Sequence, residues 1–346
     1  MRLFAVFIIA SALISCSDGD GHDLQASGSA NTSHSPEPTP LVIYCGRSEA
    51  LIGKTLVAFD EIHPDIKLDI RYNRTPTLAS QSMAEKEQCP AEVFWFQDSG
   101  YLGALAKSGM LERLPEYLYE RVDPRFRDPG QQWVGITGRL RVLVYNTDAV
   151  TEAELPGSLK DLVDPKWKGR IGWAPGNASF QAHVSVLRHQ WGEDRTRAWL
   201  LAVKANEPKM FPKNSPQVQA AHSGDISIGW VNHYYLHKLK TEGYKAANYS
   251  FPSSDGDNVL MVAGAAMRKG VAGKPRESAE KLLAYLLSDT VQGLLAQETF
   301  EYPVVQGAQT HPDVEPLASI ALAEVDQAHL TDIGPTLNML RDLDLQ

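Results

Sequence analysis

The sequence predicts an α/β protein with two domains, one of them inserted into the other. The chain has 346 residues, a length that accommodates two domains of ordinary size. Residues 41–96 alternate strand patterns with helical spacing, as in a parallel sheet covered by helices. Two long strand patterns, near residues 136–144 and 260–266, bracket a middle block with its own α/β pattern. We therefore expect a ligand cleft where the two domains meet.

The first part of the chain contains three strand patterns separated by two helical ones. Residues 41–45 (LVIYC) form a short apolar run typical of a buried strand. Ile52, Leu56 and Phe59 have helical spacing, and Ser48 is a suitable N-cap for that helix. The next strand, helix and strand patterns lie at residues 67–72, 78–87 and 92–96.

The later part of the chain begins with the long strand pattern of residues 135–145. Helical patterns start at Val184 and Thr196, and a strand pattern starts at Ser223 and leads to Asn232 and two adjacent tyrosines. A second long strand pattern, residues 259–267, is rich in small residues. It is followed by an amphipathic helix pattern at residues 278–288.

The N-terminus predicts export. Residues 1–15 combine an early Arg with a short apolar run, which is typical of a signal peptide and too short for a membrane span. LISC resembles the bacterial lipobox, so we expect Cys16 to carry a lipid. Residues 16–40 are polar and aperiodic and predict a flexible tether. The expected location is the periplasm or the outer face of the cytoplasmic membrane, with the lipid as the only membrane attachment.

Composition and missing motifs exclude several classes of function. The chain has 33 basic and 42 acidic residues and a formal net charge of −9, which is a poor match for nucleic acid. No G-x-S-x-G, P-loop or H-E-x-x-H motif is present, so we do not expect an enzyme.

Cys45 and Cys89 could form one disulfide in an exported protein. However, the two cysteines lie at opposite ends of their strands if those strands are parallel neighbours.

Seven stretches carry a combined signal, in this order along the chain: YCGRSEALIG, CPAEVFWFQD, GRLRVLVYNTD, DPKWKGRIGWAP, KNSPQVQAAHSGDISIGWVNHYY, VAGAAMRKG and EYPVVQG. Together they resemble the periplasmic ferric-iron substrate-binding proteins of bacterial ABC importers. The resemblance implies the two-lobed type II periplasmic-binding-protein fold, with two mixed-sheet domains joined by two hinge strands. It implies a monomer that carries iron(III) to a membrane permease and its ATPase. The implied lobes are residues 41–138 plus 262–305, and residues 139–261 plus 306–346.

The adjacent tyrosines are the predicted iron ligands. A phenol has a pKa near 10, but iron(III) is a small, hard ion that displaces the phenolic proton. Tyr234 and Tyr235 lie where a strand pattern leads into a helix, and at a helix start two long side chains can converge on one ion.

The predicted ligands from the other lobe depart from the family pattern. Where relatives carry a histidine this chain has Ser48, and where they carry a glutamate it has Gln97. The neighbouring carboxylates, Glu49 and Asp98, are candidates to complete an oxygen ligand set.

The resemblance also implies a synergistic anion, carbonate or phosphate, beside the iron. Small residues and Phe180 occupy the loop where some relatives carry a third tyrosine, which favours an external anion. For Arg139 and Arg141, salt bridges within the hinge strands are an equal alternative to anion binding. The candidate anion-binding residues are Asn177, Ala178, Ser179, Asn214, Asn232, Arg139 and Arg141.

Two alternatives stay open at this point. His233 and His237 have the i, i+4 spacing of a zinc site, but no third nitrogen or sulfur ligand lies nearby in the sequence. The second alternative is a binding protein of the same fold for another ligand, such as an oxyanion, a polyamine or a thiamine-like cation.

Overall fold

The computed structural model of the chain describes residues 37–345, without the side chains of residues 328 and 331. The predicted signal peptide and the lipid-bearing Cys16 lie outside the described residues. The first strand begins at Thr39, whose N–H donates to the Asp65 carbonyl at 2.8 Å. The last residues of the predicted tether therefore belong to the folded domain.

Nine strands and eleven α-helices form the described part of the chain. Short 3₁₀ turns connect several of them. The strands are β1 Thr39–Cys45, β2 Ile66–Tyr72, β3 Val93–Phe96, β4 Val134–Asn146, β5 Ile171–Trp173, β6 Lys209–Met210, β7 Ile228–Asn232, β8 Ala246–Tyr249 and β9 Leu260–Met267. The helices are α1 Glu49–Ile62, α2 Thr75–Glu85, α3 Ser99–Lys107, α4 Glu116–Tyr119, α5 Ala178–Trp191, α6 Glu193–Ala205, α7 Asn214–Ser223, α8 Tyr234–Leu239, α9 Gly273–Leu286, α10 Asp289–Thr299 and α11 Ile333–Asp342.

All nine strands belong to one mixed sheet in the order β2-β1-β3-β9-β4-β7-β5-β6, with β8 also paired to β4. The predicted parallel pairs are present, since β1 lies parallel to both β2 and β3. On the other side β5 lies parallel to β6 and β7. The pairs that involve β4 or β9 are antiparallel.

Strand β4 joins the two halves of the sheet because it is long enough to change partners. Its first part, up to Leu140, pairs with β9, and its second part, from Arg141, pairs with β7. All 13 residues of β4 are buried. The prediction of two sheets joined by two long strands thus takes the form of one continuous sheet with β4 and β9 at its centre.

A third segment contacts both halves of the sheet beside β4. Gly138 and Tyr302 exchange two backbone hydrogen bonds, each 2.8 Å long. A Cβ at Gly138 would lie 2.6 Å from Phe126 Cε1 and 3.3 Å from Tyr302 Cβ, so only glycine admits this close approach.

We call residues 300–302 the third crossing segment because they contact both halves of the sheet. On one side of the sheet Glu301 accepts from Arg47, and on the other the Phe300 carbonyl contacts His233. The sequence patterns did not predict this segment.

The helices cover the sheet and enclose two main groups of buried side chains. One group surrounds β1, β3 and β9, and the other contains the tryptophans of β5, α6 and β7. Cys45 and Cys89 are both buried and free, so the possible disulfide is absent. Within residues 37–345, no helix has the length and apolar character needed to cross a membrane.

Candidate functional site

Three polar side chains of β4 lie on one side of this strand. Thr137, Arg139 and Arg141 alternate with Gly138 and Leu140, and alternate residues of a strand point to the same face. All three are buried although two carry a charge. Because a buried charge is costly unless it is paired, the partners of the two arginines define the chemistry of this face.

Tyr234 and Tyr235 lie at the start of α8 with their rings in contact. The ring centroids are 4.3 Å apart and the ring planes differ by 29°. Tyr234 is buried and Tyr235 is half-buried. Burial, the Tyr235 phenol and the Glu301 carboxylate together raise the pKa of Tyr234 well above its usual value, and Arg139 opposes them. The two phenol rings therefore lie together, and their role as ligands stays a prediction.

A continuous set of hydrogen bonds connects the start of α5 to the end of β7. Asn177 caps α5, because its Oδ1 accepts from Ser179 N at 3.0 Å and from Ser179 Oγ at 2.7 Å. Asn232 Nδ2 in turn donates to Ser179 Oγ at 3.3 Å. Ala178 is the first residue of α5. Four of the predicted anion-binding residues thus lie together.

Arg141 extends this set and has only neutral partners. It donates to Asn232 Oδ1 at 3.1 Å, to Asn214 Oδ1 at 3.4 Å and to the Trp230 carbonyl at 2.8 Å. Arg141 Nε and Asn214 Nδ2 are buried donors without a partner among the described residues. Burial lowers the pKa of Arg141 to about 9, against the effect of both phenols, which raise it. We call these residues the Arg141 network: Asn177, Ala178, Ser179, Asn214, Asn232 and Arg141.

A second buried network surrounds Glu301, in the third crossing segment. Glu301 Oε2 accepts from Arg47 Nη2 at 2.6 Å and from Thr137 Oγ1 at 2.5 Å. Arg47 Nη1 also donates to Gln97 Oε1 at 2.8 Å. Although burial raises the pKa of Glu301, Arg47 and Arg139 outweigh that effect and hold it below its usual value. The carboxylate is therefore ionised.

Arg139 completes this second network and does not join the first. Its Nη2 donates to Asp98 Oδ1 and to the Gln97 carbonyl, each at 2.6 Å. Burial lowers the pKa of Arg139, but the charges of Asp98, Glu301 and Tyr234 raise it above its usual value. Of the two alternatives for the β4 arginines, Arg139 makes the salt bridge and Arg141 does not. The Glu301 network is Arg47, Gln97, Asp98, Thr137, Arg139 and Glu301.

The two predicted carboxylate ligands, Asp98 and Glu49, differ in their surroundings. Asp98 lies at the start of α3 and is held by Arg139. Glu49 is exposed at the first position of α1. Burial raises the pKa of the half-buried Tyr72 phenol to about 12, and Cys45 and the Glu49 charge add to this effect. No hydrogen bond or ion pair described for residues 37–345 joins Glu49 to the tyrosine pair. No described contact therefore groups Glu49 with the other candidate ligands, and its role as a ligand stays a prediction.

The histidines on either side of the tyrosines do not form a zinc site. His233 Nδ1 accepts from the Leu140 N–H at 3.1 Å, and His233 Nε2 contacts the Phe300 carbonyl at 2.7 Å. Both ring nitrogens are therefore in use. Burial lowers the pKa of His233 and of His237 to about 4, so both are neutral at pH 7. In the described part of the chain, no three His, Cys, Asp or Glu side chains are grouped to hold a metal.

Three charged residues near the site were not assigned a role from the sequence. Arg47 and Glu301 are both almost fully buried. Lys238 lies one helical turn after Tyr234, with Nζ 5.3 Å from the centre of its ring. Two of the three lie in stretches that carry the family resemblance, YCGRSEALIG and EYPVVQG. Their position in these stretches could have marked Arg47 and Glu301 as candidates, but it does not show that their side chains form an ion pair.

Comparison with known proteins identifies the family. The model of the bacterial extracellular solute-binding protein family matches residues 88–323. The chain belongs to this family. Two relatives of this solute-binding protein have names that state ferric binding. The Fe(3+)-binding periplasmic protein of Serratia marcescens is 31% identical over 84% of the chain and 86% of the relative. The major ferric iron-binding protein of Neisseria meningitidis serogroup A is 28% identical over 88% of the chain and 92% of the relative.

Solved structures confirm the predicted fold class of this solute-binding protein, the two-lobed type II fold. The crystal structure of iron-bound HitA from Pseudomonas aeruginosa superposes with a TM-score of 0.80 at 31% identity, covering 88% of this chain and 99% of HitA. The apo ferric ion-binding protein A of Pasteurella haemolytica superposes with a TM-score of 0.78 at 24% identity, covering 89% and 98%. At that identity the second match supports the fold alone. The exact lobe boundaries stay a prediction.

Proposed function

We propose that this solute-binding protein captures iron(III) together with an anion and delivers it to an ABC-type permease, without catalysis. The observation that carries the proposal is the stacked phenol pair of Tyr234 and Tyr235 beside the uncompensated guanidinium of Arg141. The relatives whose names state ferric binding support the same cargo.

The phenol pair suits iron(III) better than a divalent ion. A buried phenol with a raised pKa keeps its proton at pH 7, so a metal must displace that proton in order to bind. Iron(III) has the charge to do so, and it prefers hard oxygen ligands. Tyr234 and Tyr235 are therefore the proposed protein ligands, and we propose that Asp98 serves as the partner of Arg139 instead of as a ligand.

The charge near the phenols favours an anion in the same site. Iron(III) on two phenolates keeps one positive charge, and Arg141 adds a second, because its own partners are neutral. Arg141 Nε and Asn214 Nδ2 are unused donors, which an oxyanion can accept from. Carbonate and phosphate both provide several acceptor oxygens. The donor set thus fits the predicted synergistic anion.

Binding and delivery follow from the two-lobed architecture. Ligands that contact both halves of the sheet favour a closed form through hinge motion, and the permease with its ATPase would receive that form. We propose that the monomer acts outside the cytoplasmic membrane, held by a lipid on Cys16. Cys16→Ser should move the protein from the membrane fraction to the soluble periplasmic fraction.

The deciding experiment is a titration of the purified domain with ferric citrate. We expect a visible phenolate-to-iron charge-transfer band in the wild type, which weakens in Tyr234→Phe and in Tyr235→Phe and is lost in the double variant. Tyr244→Phe is the matched control, since the Tyr244 hydroxyl has no hydrogen-bond partner among the described residues. An unchanged band and unchanged iron affinity in the double variant would show that the phenols are not the ligands.

One observation favours a second candidate, a binding protein for an oxyanion alone. The Arg141 network offers unused donors whether or not a metal is present. Calorimetry with phosphate in the absence of iron separates the candidates. Tight phosphate binding that is insensitive to Tyr234→Phe, with no iron band, would favour the oxyanion protein.

A further inference from the structure

His233 contacts two segments that each contact both halves of the sheet. Its ring nitrogen Nδ1 accepts from the Leu140 N–H of β4 at 3.1 Å. Its Nε2 lies 2.7 Å from the Phe300 carbonyl in the third crossing segment. A carbonyl can only accept, so Nε2 carries the proton and Nδ1 is the acceptor. The two contacts together select one neutral tautomer.

The contact with Leu140 lies where β4 changes partners. Leu140 is the last β4 residue paired with β9, and Arg141 is the first paired with β7. His233 contacts this junction through its backbone as well, since its N–H donates to the Leu140 carbonyl at 3.0 Å. Both backbone groups of Leu140, at the junction between the two halves of the sheet, are therefore bonded to this single residue.

The same residue fixes the start of the tyrosine helix. His233 is the N-cap position of α8, directly before Tyr234. Its carbonyl accepts from Asn248 Nδ2 at 2.8 Å. Its ring stacks on Tyr302, with centroids 4.6 Å apart, and meets the Tyr234 ring edge-on at 5.9 Å. The orientation of Tyr234 thus depends on a residue held by β4, by β8 and by the third crossing segment.

We propose that His233 is a positioning residue that ties the Tyr234 phenol to the hinge through β4 and the third crossing segment. The inference rests on the proposed role of the tyrosine pair as ligands. Hinge motion that shifts Leu140 relative to Phe300 acts on the start of α8 through His233. In this arrangement closure of the cleft and alignment of the phenols are one event.

The test compares His233→Phe with the wild-type chain. Phenylalanine keeps a ring to stack on Tyr302 but removes the acceptor for Leu140 and the donor to Phe300. We expect hydrogen exchange of the Leu140 amide in the iron-free protein to speed up at least tenfold. With iron bound, we expect release to an excess of chelator to speed up by about 10-fold to 100-fold, and the charge-transfer band to shift.

His237→Phe is the matched control. His237 lies on the same helix and stacks on Phe300, with ring centroids 5.4 Å apart, but makes no bond to β4. We expect it to leave the iron release rate within about twofold of wild type. His233→Gln, which keeps one acceptor and one donor on one group, should recover part of the loss, and it serves as the test variant if His233→Phe does not fold.

The outcomes separate this inference from the proposed function. A wild type that shows no iron band would overturn the proposed function, while the Leu140 exchange rate would still test the link to the hinge. If the wild type binds iron and His233→Phe matches it in Leu140 exchange, in iron release and in band position, His233 is not a positioning residue.

Discussion

Arg139 and Arg141 are two residues apart on the same face of β4, and their surroundings differ in charge. Arg139 is paired with Asp98 and lies near Glu301, and these charges raise its pKa. Arg141 has only amide and carbonyl oxygens as partners, and burial lowers its pKa to about 9. Both side chains are almost completely buried. The two arginines therefore differ in whether a carboxylate balances their charge, and not in their exposure to solvent.

This difference distinguishes the Glu301 network, which stabilises the fold, from the Arg141 network, which can bind an anion. In the Glu301 network the buried charges neutralise one another, so it stabilises the fold without needing a ligand. In the Arg141 network one buried charge has no counter-ion among the described residues, so an anion gains the interaction that the chain does not supply. The following substitutions test this comparison, starting from the largest expected effect.

Glu301→Gln should cause the largest loss of stability. It leaves Arg47 and Arg139 short of a negative charge, and breaking a buried pair costs about 3–5 kcal/mol of unfolding free energy. The pKa of Glu301 is below its usual 4.5, so its contribution is present above pH 4.5 and is lost as the pH falls further. Urea unfolding should show a constant deficit from pH 8 to pH 5 that shrinks below pH 4.5. A variant as stable as wild type would contradict the assignment.

Arg141→Gln should reduce iron affinity with little effect on stability. Removing an uncompensated buried charge should leave the unfolding free energy within about 1 kcal/mol of wild type or raise it. Iron affinity at saturating bicarbonate should fall by about 10-fold to 100-fold, which is about 1.4–2.7 kcal/mol. Competition with a chelator measures the affinity and urea unfolding measures the stability. Unchanged affinity together with a large loss of stability would remove the distinction between the two arginines.

Phosphate or bicarbonate should stabilise the iron-free protein through Arg141. A ligand at 100 times its dissociation constant adds about 2.7 kcal/mol to the unfolding free energy. We expect the melting temperature of the wild type to rise with phosphate concentration at constant ionic strength, and that of Arg141→Gln to stay nearly constant. Equal shifts in both proteins would mean that the anion binds elsewhere.

Asp98→Asn and Glu49→Gln should have the smallest effects on iron binding. The Asp98 side chain is 17% exposed, against 0% for Glu301, and asparagine still offers Arg139 an acceptor. We therefore expect a loss of about 1–2 kcal/mol of stability with less than fivefold change in iron affinity. Glu49→Gln, at an exposed helix start, should change neither. Isothermal titration with ferric citrate checks both. A large loss of affinity in either variant would restore that carboxylate as a ligand.

The sequence patterns were sufficient for six of the nine strands of the described residues, including the central pair of long strands, and for the position of the tyrosine pair between a strand and a helix. Each of these depends on residues close together in the chain, such as the alternation of β4 or the small residues of β9. The patterns did not predict β5, β6 or β8. Boundaries were less accurate. Helix α5 begins at Ala178, six residues before the predicted Val184, because Asn177 caps a first turn whose apolar spacing is weak.

The buried networks could not be predicted in the same way. Arg47 and Glu301 are 254 residues apart in sequence, and their contact depends on how the third crossing segment lies against β4. Nothing in the local sequence predicted that Arg139 would form a salt bridge with Asp98 and that Arg141 would form no salt bridge with the described residues. Both arginines are followed by an apolar residue in the same strand pattern. Which charge acquires a partner is decided by tertiary contacts.

The third crossing segment also limits how the two halves of the sheet can move. Two crossings alone would allow the halves to rotate about the line that joins them and to twist against each other. The third crossing segment adds a further attachment, since Tyr302 is bonded to Gly138 in both directions and the Phe300 carbonyl contacts His233. We expect this attachment to suppress the twist and to leave one low-energy motion, a bend across β4. Binding energy gained anywhere in the cleft is then directed along a single coordinate.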